Sequence, residues 1–262
     1  MINFKSSHFL TRLISSFIML PLMFFVWKGG WALISLIYVF VFGMFYESLS
    51  MLILKNNKIK VNFHIIFLSL LGSSPLFLLF YKQEFFFYIL FYLVFFSILS
   101  IYFRLNLFSL FFILLIIFSG LAAILITDIN SKIIFYLFIL VFISDTSAYI
   151  FGNYLQGPKI FPNISPNKTW SGSISAILVS MIAALVFFKT ENFLISAFIG
   201  ILTSILAQNG DLFESYYKRN YGYKDSGKII PGHGGVLDRL DGLLINLPFY
   251  YILIYFDLFN LL

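Results

Sequence analysis

The sequence predicts an all-α polytopic membrane protein of about nine transmembrane helices, with its polar loops gathered on the cytoplasmic side. Three observations predict it: an extreme apolar composition, a succession of span-length apolar runs, and a lopsided distribution of basic residues. Of the 262 residues, 61% are hydrophobic and 11% charged, and the mean hydropathy is +0.97. A soluble domain carries about 25% charged residues. In water this much Phe, Leu and Ile would leave one continuous apolar surface. The bilayer must be the solvent.

A membrane helix takes about 20 mostly apolar residues to cross roughly 30 Å of hydrocarbon. In chain order, nine runs approach that length: Leu10–Trp27, Trp31–Leu54, Phe63–Tyr81, Phe85–Phe103, Leu107–Ile126, Ile133–Gly152, Ser171–Phe188, Phe193–Gln208 and Leu243–Leu262. The first follows Lys5 and Arg12 as a signal peptide would. It lacks a small-residue cleavage site, and Pro21–Trp27 stays bulky and apolar, so it reads as a retained span. The connections at Lys82–Glu84 and Arg104–Asn106 are the weakest boundaries, and eight spans is the alternative count.

Nine spans put the N-terminus and the loops after even-numbered spans on one side. That side collects 13 of the 17 basic residues, leaving only Lys28, Lys82, Lys132 and Lys189 on the other. Positive charge marks the cytoplasm. The N-terminus and the two large polar loops, Asn153–Trp170 and Gly210–Gly242, are therefore expected to be cytoplasmic, with the C-terminus opposite. The net charge of +6 then reflects loops beside anionic lipid and needs no nucleic acid. The chain reads as one integral membrane domain, 1–262. Residues 1–130 supply N-terminal spans, and 131–262 form the half that carries the chemistry. With no cysteine, disulfides, thiolate metal sites and cysteine nucleophiles are excluded.

Five of the 11 acidic residues fall in one stretch: Asp211, Glu214, Asp225, Asp238 and Asp241. Lys218, Arg219, Lys224, Lys228, Arg239 and His233 share it. A solvated loop of balanced charge is the bland alternative. The order of residues argues against it, because Pro231-Gly232-His233-Gly234-Gly235 permits positive φ and close backbone approach, while the flanking Lys and Arg can meet phosphate oxygens. Asp238 and Asp241, three apart, would share a helix face, and Asp211 ends the eighth span on the same side. Carboxylates converging from two helix ends beside cations suit Mg²⁺ carrying substrate phosphates. With no cysteine and only three scattered histidines, zinc is disfavoured.

Asp145 lies inside the sixth span, towards its cytoplasmic end. An ionisable group there costs about 2.5–3.5 kcal/mol at the span centre, which makes it a functional candidate; a structural hydrogen bond to a neighbouring helix is the alternative. Glu47, near the cytoplasmic end of its own span, reads as structural. Asp257 snorkels, and His8 and His64 are interfacial. In Ile164–Trp170, Pro166 stops helix formation at Ser165 and Lys168 precedes a span. It can anchor at the interface or contact a phosphate.

The pattern Ser215-x-x-Lys218-Arg219, Lys224-Asp225, Pro231-x-His233-Gly234-Gly235-x-x-Asp238-Arg239-x-Asp241 fills every position of a signature over 27 residues. It resembles the phosphatidate cytidylyltransferase (CDP-diacylglycerol synthase) family. Ile164–Trp170 resembles that family's second motif and Asp145 its acidic residue within a span. The N-terminal spans match only in character. The chain departs from the family pattern at Asn153, where Arg is frequent, at Gln156 and Gly157, where Gly and a base are frequent, and at Ser171, where Glu is frequent.

The resemblance implies transfer of a cytidylyl group from CTP to phosphatidic acid, giving CDP-diacylglycerol and pyrophosphate. It implies Mg²⁺, with or without a second cation. Asp211 and Asp238 would be metal carboxylates, and Asp241, Asp225, His233 and Asp145 would complete the catalytic set. Lys218, Arg219, Lys224, Arg239, Lys168, Ser215, Gly234 and Gly235 would hold phosphates. It further implies a bacterial-type inner membrane and assembly as a homodimer. Two rivals are a CTP-dependent polyprenol kinase, which should lack the full His-Gly-Gly…Asp-Arg-x-Asp string, and a transporter, which should show repeated halves and charges near the midplane.

Overall fold

The computed structural model describes residues 23–56, 62–79, parts of 91–101, 105–187, 193–230 and 234–257. The elements are α1 (Gly30–Asn56), α2 (Asn62–Leu79), α3 (Leu107–Leu155), β1 (Lys159–Phe161), β2 (Ser165–Thr169), α4 (Trp170–Phe187), α5 (Phe193–Tyr221) and α6 (Leu237–Tyr255). Most of the expected first and fourth spans, and the stretch Pro231-Gly232-His233, lie outside the described residues. Among the described residues, four helices are long and apolar enough to cross a membrane: α1, α3, α4 and α5. The chain is an integral membrane protein.

Helix α3 has 49 residues and a single non-helical residue inside it, Asn130 (φ −158°, ψ 103°). Straight, it would extend about 74 Å, over twice the hydrocarbon thickness. It folds back instead. Ser119, in its first half, donates through Oγ to the Leu244 carbonyl of α6. Val141, in its second half, stands where a Cβ on Gly242 would lie 2.7 Å from it. Two points 22 residues apart can reach neighbouring positions of α6 only if the helix doubles back near Asn130, between the fifth and sixth runs read from the sequence.

Small residues let the remaining helices pack closely. On α4 the buried face is Gly172, Ala176, Ser180 and Ala184, a four-residue spacing that keeps one side of the helix narrow. Ile174, Leu178, Ile182 and Val186 form the exposed apolar stripe, which suits lipid. Gly200 of α5 fits against α4 so tightly that an added Cβ would lie 2.3 Å from the Ser180 carbonyl oxygen. Helices α5 and α6 run antiparallel: Thr203 Oγ1 and Tyr250 Oη are 2.6 Å apart, and Gly210 meets Asp241 one end further on.

Two polar stretches differ from the open loops expected. Residues 159–169 form an antiparallel hairpin, β1 with β2, so the architecture is helical with one small sheet. Pro166 fits there because a two-stranded ribbon consists of edge strands, where a missing N–H is tolerated. The segment after Gln208 continues as helix through Tyr221. Its charges sit at helical spacing, Glu214 with Lys218 (i, i+4) and Asp211 with Ser215, and such pairs support a helix.

Candidate active site

The site grows out of the crossing of α5 and α6. A Cβ on Gly210 would lie 2.2 Å from the Asp241 carbonyl oxygen, so only glycine permits this approach. Asp211 follows Gly210, Asp241 precedes Gly242, and Glu214 stands one turn beyond Asp211. The crossing therefore brings three carboxylates together, with an oxygen from each lying within 4.8 Å of the others. Glu214 is fully buried. Its Oε2 lies 2.5 Å from Lys218 Nζ, while Oε1 has no hydrogen-bond partner. A buried carboxylate oxygen left open, beside two further carboxylates, is the donor set a hard divalent cation takes, so these residues fit one.

Cationic groups ring the cluster. Lys168, from β2, reaches Asp211 Oδ2 at 2.7 Å and donates to the Gln208 carbonyl at 3.3 Å. Ser215 Oγ donates to Asp211 Oδ1 at 3.2 Å. Lys218, 7% exposed, bridges Glu214 and Asp238 at 2.5 Å each. Arg219 is exposed, with Nη1 donating to the Tyr223 carbonyl at 2.7 Å. Asp145, on α3, stands in electrostatic range of Asp211, Lys168 and Arg239. Lys224, Asp225 and Arg239 are exposed, on the rim of this arrangement.

Asp238 stands on the first turn of α6, with both oxygens engaged. Oδ1 accepts from Lys218, and Oδ2 accepts from the backbone N–H groups of Ser226 (2.9 Å) and Gly235 (2.8 Å) and from Ser226 Oγ (3.0 Å). Burial by itself would raise its pKa. The Lys218 ammonium and the two N–H donors outweigh that and hold the carboxyl below the ordinary aspartate range. Gly234 adopts φ +84°, and its carbonyl accepts from the Ile230 N–H at 3.0 Å. Gly234 thus does take a positive φ. At Gly235 the close neighbours are protein groups: an added Cβ would lie 2.0 Å from Ser226 Oγ and 2.4 Å from Glu47 Oε2.

The structure thus brings together Asp211, Asp241, Lys168, Lys218, Ser215 and Asp238, with Asp145 in electrostatic range. His233 lies outside the described residues. Sequence reasoning passed over Glu214 as a site residue, although its spacing from Asp211 and Lys218 would mark it once the helix is known to continue. It also passed over Ser226 and the anchoring contacts of Glu47. Two departures from the family pattern touch each other: the Gly157 N–H donates to Ser171 Oγ at 3.1 Å. Gln156 ends α3 in the left-handed region at φ 47°, a conformation that favours glycine.

Residues 10–257 match the model of a family described as the cytidylyltransferase family. A phosphatidate cytidylyltransferase of Staphylococcus haemolyticus (strain JCSC1435) is 44% identical over 125 residues, 46% of this chain and 48% of that protein. The protein of the same description from Staphylococcus aureus (strain COL) is 43% identical over the same length and shares. That of Rickettsia typhi (strain ATCC VR-144 / Wilmington) is 40% identical over 132 residues, 47% of this chain and 58% of that protein. The chain spans about half the length of the curated relatives it matches.

Proposed function

The chain belongs to the cytidylyltransferase family, and on that premise we propose that it transfers the cytidylyl group of CTP to phosphatidic acid. The products would be CDP-diacylglycerol and pyrophosphate. A phosphate oxygen of the lipid attacks the α-phosphorus of CTP in line. The new P–O bond forms as the bond from the α-phosphorus to the bridging oxygen breaks, and the electron pair leaves with pyrophosphate. Two anionic reactants must be brought together, so positioning and charge neutralisation carry the catalysis.

One observation supports this most directly: Asp211, Glu214 and Asp241 converge at a helix crossing flanked by Lys168 and Lys218. A divalent cation, Mg²⁺ in this reading, would be held by Asp211 with Glu214 and Asp241, and with Asp238 on the adjoining turn; it would neutralise charge on the departing pyrophosphate. Lys168 and Lys218 orient phosphate oxygens at the cluster, and Arg219, Lys224 and Arg239 do so at its rim. By the resemblance, His233 and Asp225 would complete the catalytic set, and Gly234 and Gly235 would serve phosphate binding. Asp145, on α3 within electrostatic range of Asp211, Lys168 and Arg239, belongs to the same catalytic set. A site at the end of the spans can meet a membrane lipid and a soluble nucleotide together, and the basic-residue bias supports a cytoplasmic face of an inner membrane. Homodimeric assembly belongs to the same proposal and rests on the resemblance alone.

The test uses purified protein in detergent with phosphatidic acid, Mg²⁺ and CTP labelled at the α-phosphorus, followed by chromatography of the lipid. Label in a CDP-diacylglycerol band is the expected result. Label reaching lipid only from γ-labelled CTP would assign a lipid kinase and overturn the proposal.

A further inference from the structure

We propose that Glu47 is a positioning residue of this site, a role that rests on the reading above and extends it to a helix outside the signature. Glu47 is the one acidic residue of α1 and is 1% exposed. Its Oε1 accepts from the Val236 N–H at 2.9 Å, and Oε2 accepts from the Leu237 N–H at 2.9 Å and Ser226 Oγ at 2.8 Å. The first N–H groups of a helix have no intrahelical partner, and Val236, the N-cap residue of α6, supplies no side-chain cap. Glu47 supplies that cap from about 190 residues away in sequence.

The capped turn is the one that carries Asp238. Ser226 Oγ lies within hydrogen-bond distance of both carboxylates, 2.8 Å from Glu47 and 3.0 Å from Asp238, so its single proton is shared between them. Gly227 and Gly235 close around Glu47, since a Cβ at either would lie 2.5 Å or less from its carboxylate oxygens. The next residue of α1 reaches the other partner: the Ser48 carbonyl accepts from Tyr217 Oη at 3.1 Å, and Tyr217 precedes Lys218. Two consecutive residues of α1 therefore hold both sides of the Lys218–Asp238 pair. Holding them at 2.5 Å is what removing Glu47 would undo.

The test compares wild type, Glu47→Gln and Glu47→Ala in detergent by two readouts. The first is kcat per folded protein, measured well below the unfolding midpoint. The second is amide hydrogen exchange in the substrate-free protein, over 223–230 and 234–240 and, as reference, over 107–126. Glu47→Ala should lower kcat at least tenfold and speed exchange over 223–230 and 234–240 at least tenfold, with 107–126 unchanged. Glu47→Gln keeps one carbonyl acceptor and should fall between, and it carries the test if the alanine variant does not accumulate. Unchanged exchange over 223–230 and 234–240 would overturn the proposal. So would a kcat within twofold of wild type accompanied only by a lower unfolding midpoint. A wild type inert towards CTP and phosphatidic acid would refute the functional reading, while exchange would still decide whether Glu47 holds the loop.

Discussion

Replacing Asp238 by Asn keeps the size of the side chain and removes its charge, and the geometry sets what that costs. Asp238 accepts from Lys218 on one oxygen and from Ser226 and Gly235 on the other. The amide retains one carbonyl oxygen, which can serve Lys218 or the two N–H groups but not both. Its NH₂ then faces donors, whichever way it turns. A hydrogen bond to a charged group contributes about 1.5–3 kcal/mol. At 1.4 kcal/mol per tenfold, losing the Lys218 bond alone depletes the aligned site by about 10- to 150-fold. A contact with the proposed metal would add to this and shift the Mg²⁺ dependence. The assay titrates Mg²⁺ at fixed CTP and phosphatidic acid for wild type and variant in detergent. Turnover should collapse, with at most partial rescue by high Mg²⁺ or by Mn²⁺. Turnover within twofold of wild type and an unchanged Mg²⁺ midpoint would refute the place given to Asp238.

Gly210→Ala should force α5 and α6 apart, because the new Cβ meets the Asp241 carbonyl; a destabilisation of about 1–3 kcal/mol should appear as a lower unfolding midpoint in detergent, together with weaker Mg²⁺ activation. Arg219→Lys keeps the charge of an exposed side chain but loses the two-pronged fork, so steady-state kinetics should show a smaller loss than Asp238→Asn, insensitive to added metal. Asp145→Asn should leave the yield of membrane-inserted protein unchanged while turnover drops sharply; full activity with poorer detergent stability would assign it a structural hydrogen bond instead. A topology reporter fused after Leu262 should be active only outside the cytoplasm, and one inserted near Lys58 only inside. Cytoplasmic signal from the first would remove the nine-span arrangement.

What the sequence disclosed was whatever depends on local spacing. Asp238 and Asp241 lie within one helix turn, and their shared face follows from the helix period alone. The fold-back at Asn130 was legible as an interruption between two apolar runs. The continuation of α5 through Tyr221 was not, since Gly210 and the charges after it look like the start of a loop; packing against α6 and side-chain pairs one turn apart keep that segment helical. The β-hairpin was hidden for a similar reason, its Pro and Asn reading as turn residues. Glu47 was hidden by distance. A carboxylate near a span end is ordinary by itself, and its partners Val236 and Leu237 offer backbone N–H groups, which leave no mark on sequence. At Gly235 the sequence also gave no sign of the protein groups, Glu47 and Ser226, that stand close to it.

The contact of Gly210 with the Asp241 backbone has a mechanical consequence. When two rods tilt against each other about their tightest contact, separations grow with distance from it and hardly change beside it. Asp241 forms this contact and Asp211 sits one residue from it. Helices in a bilayer tilt to match the thickness of the surrounding lipid, and tilting of α5 against α6 about this crossing would displace their far ends by several ångströms. The spacing of the two carboxylates would barely alter. The tightest point of the α5–α6 seam lies at the carboxylate cluster, so a change of tilt about it would leave the spacing of the proposed metal ligands nearly constant while the surrounding membrane varies.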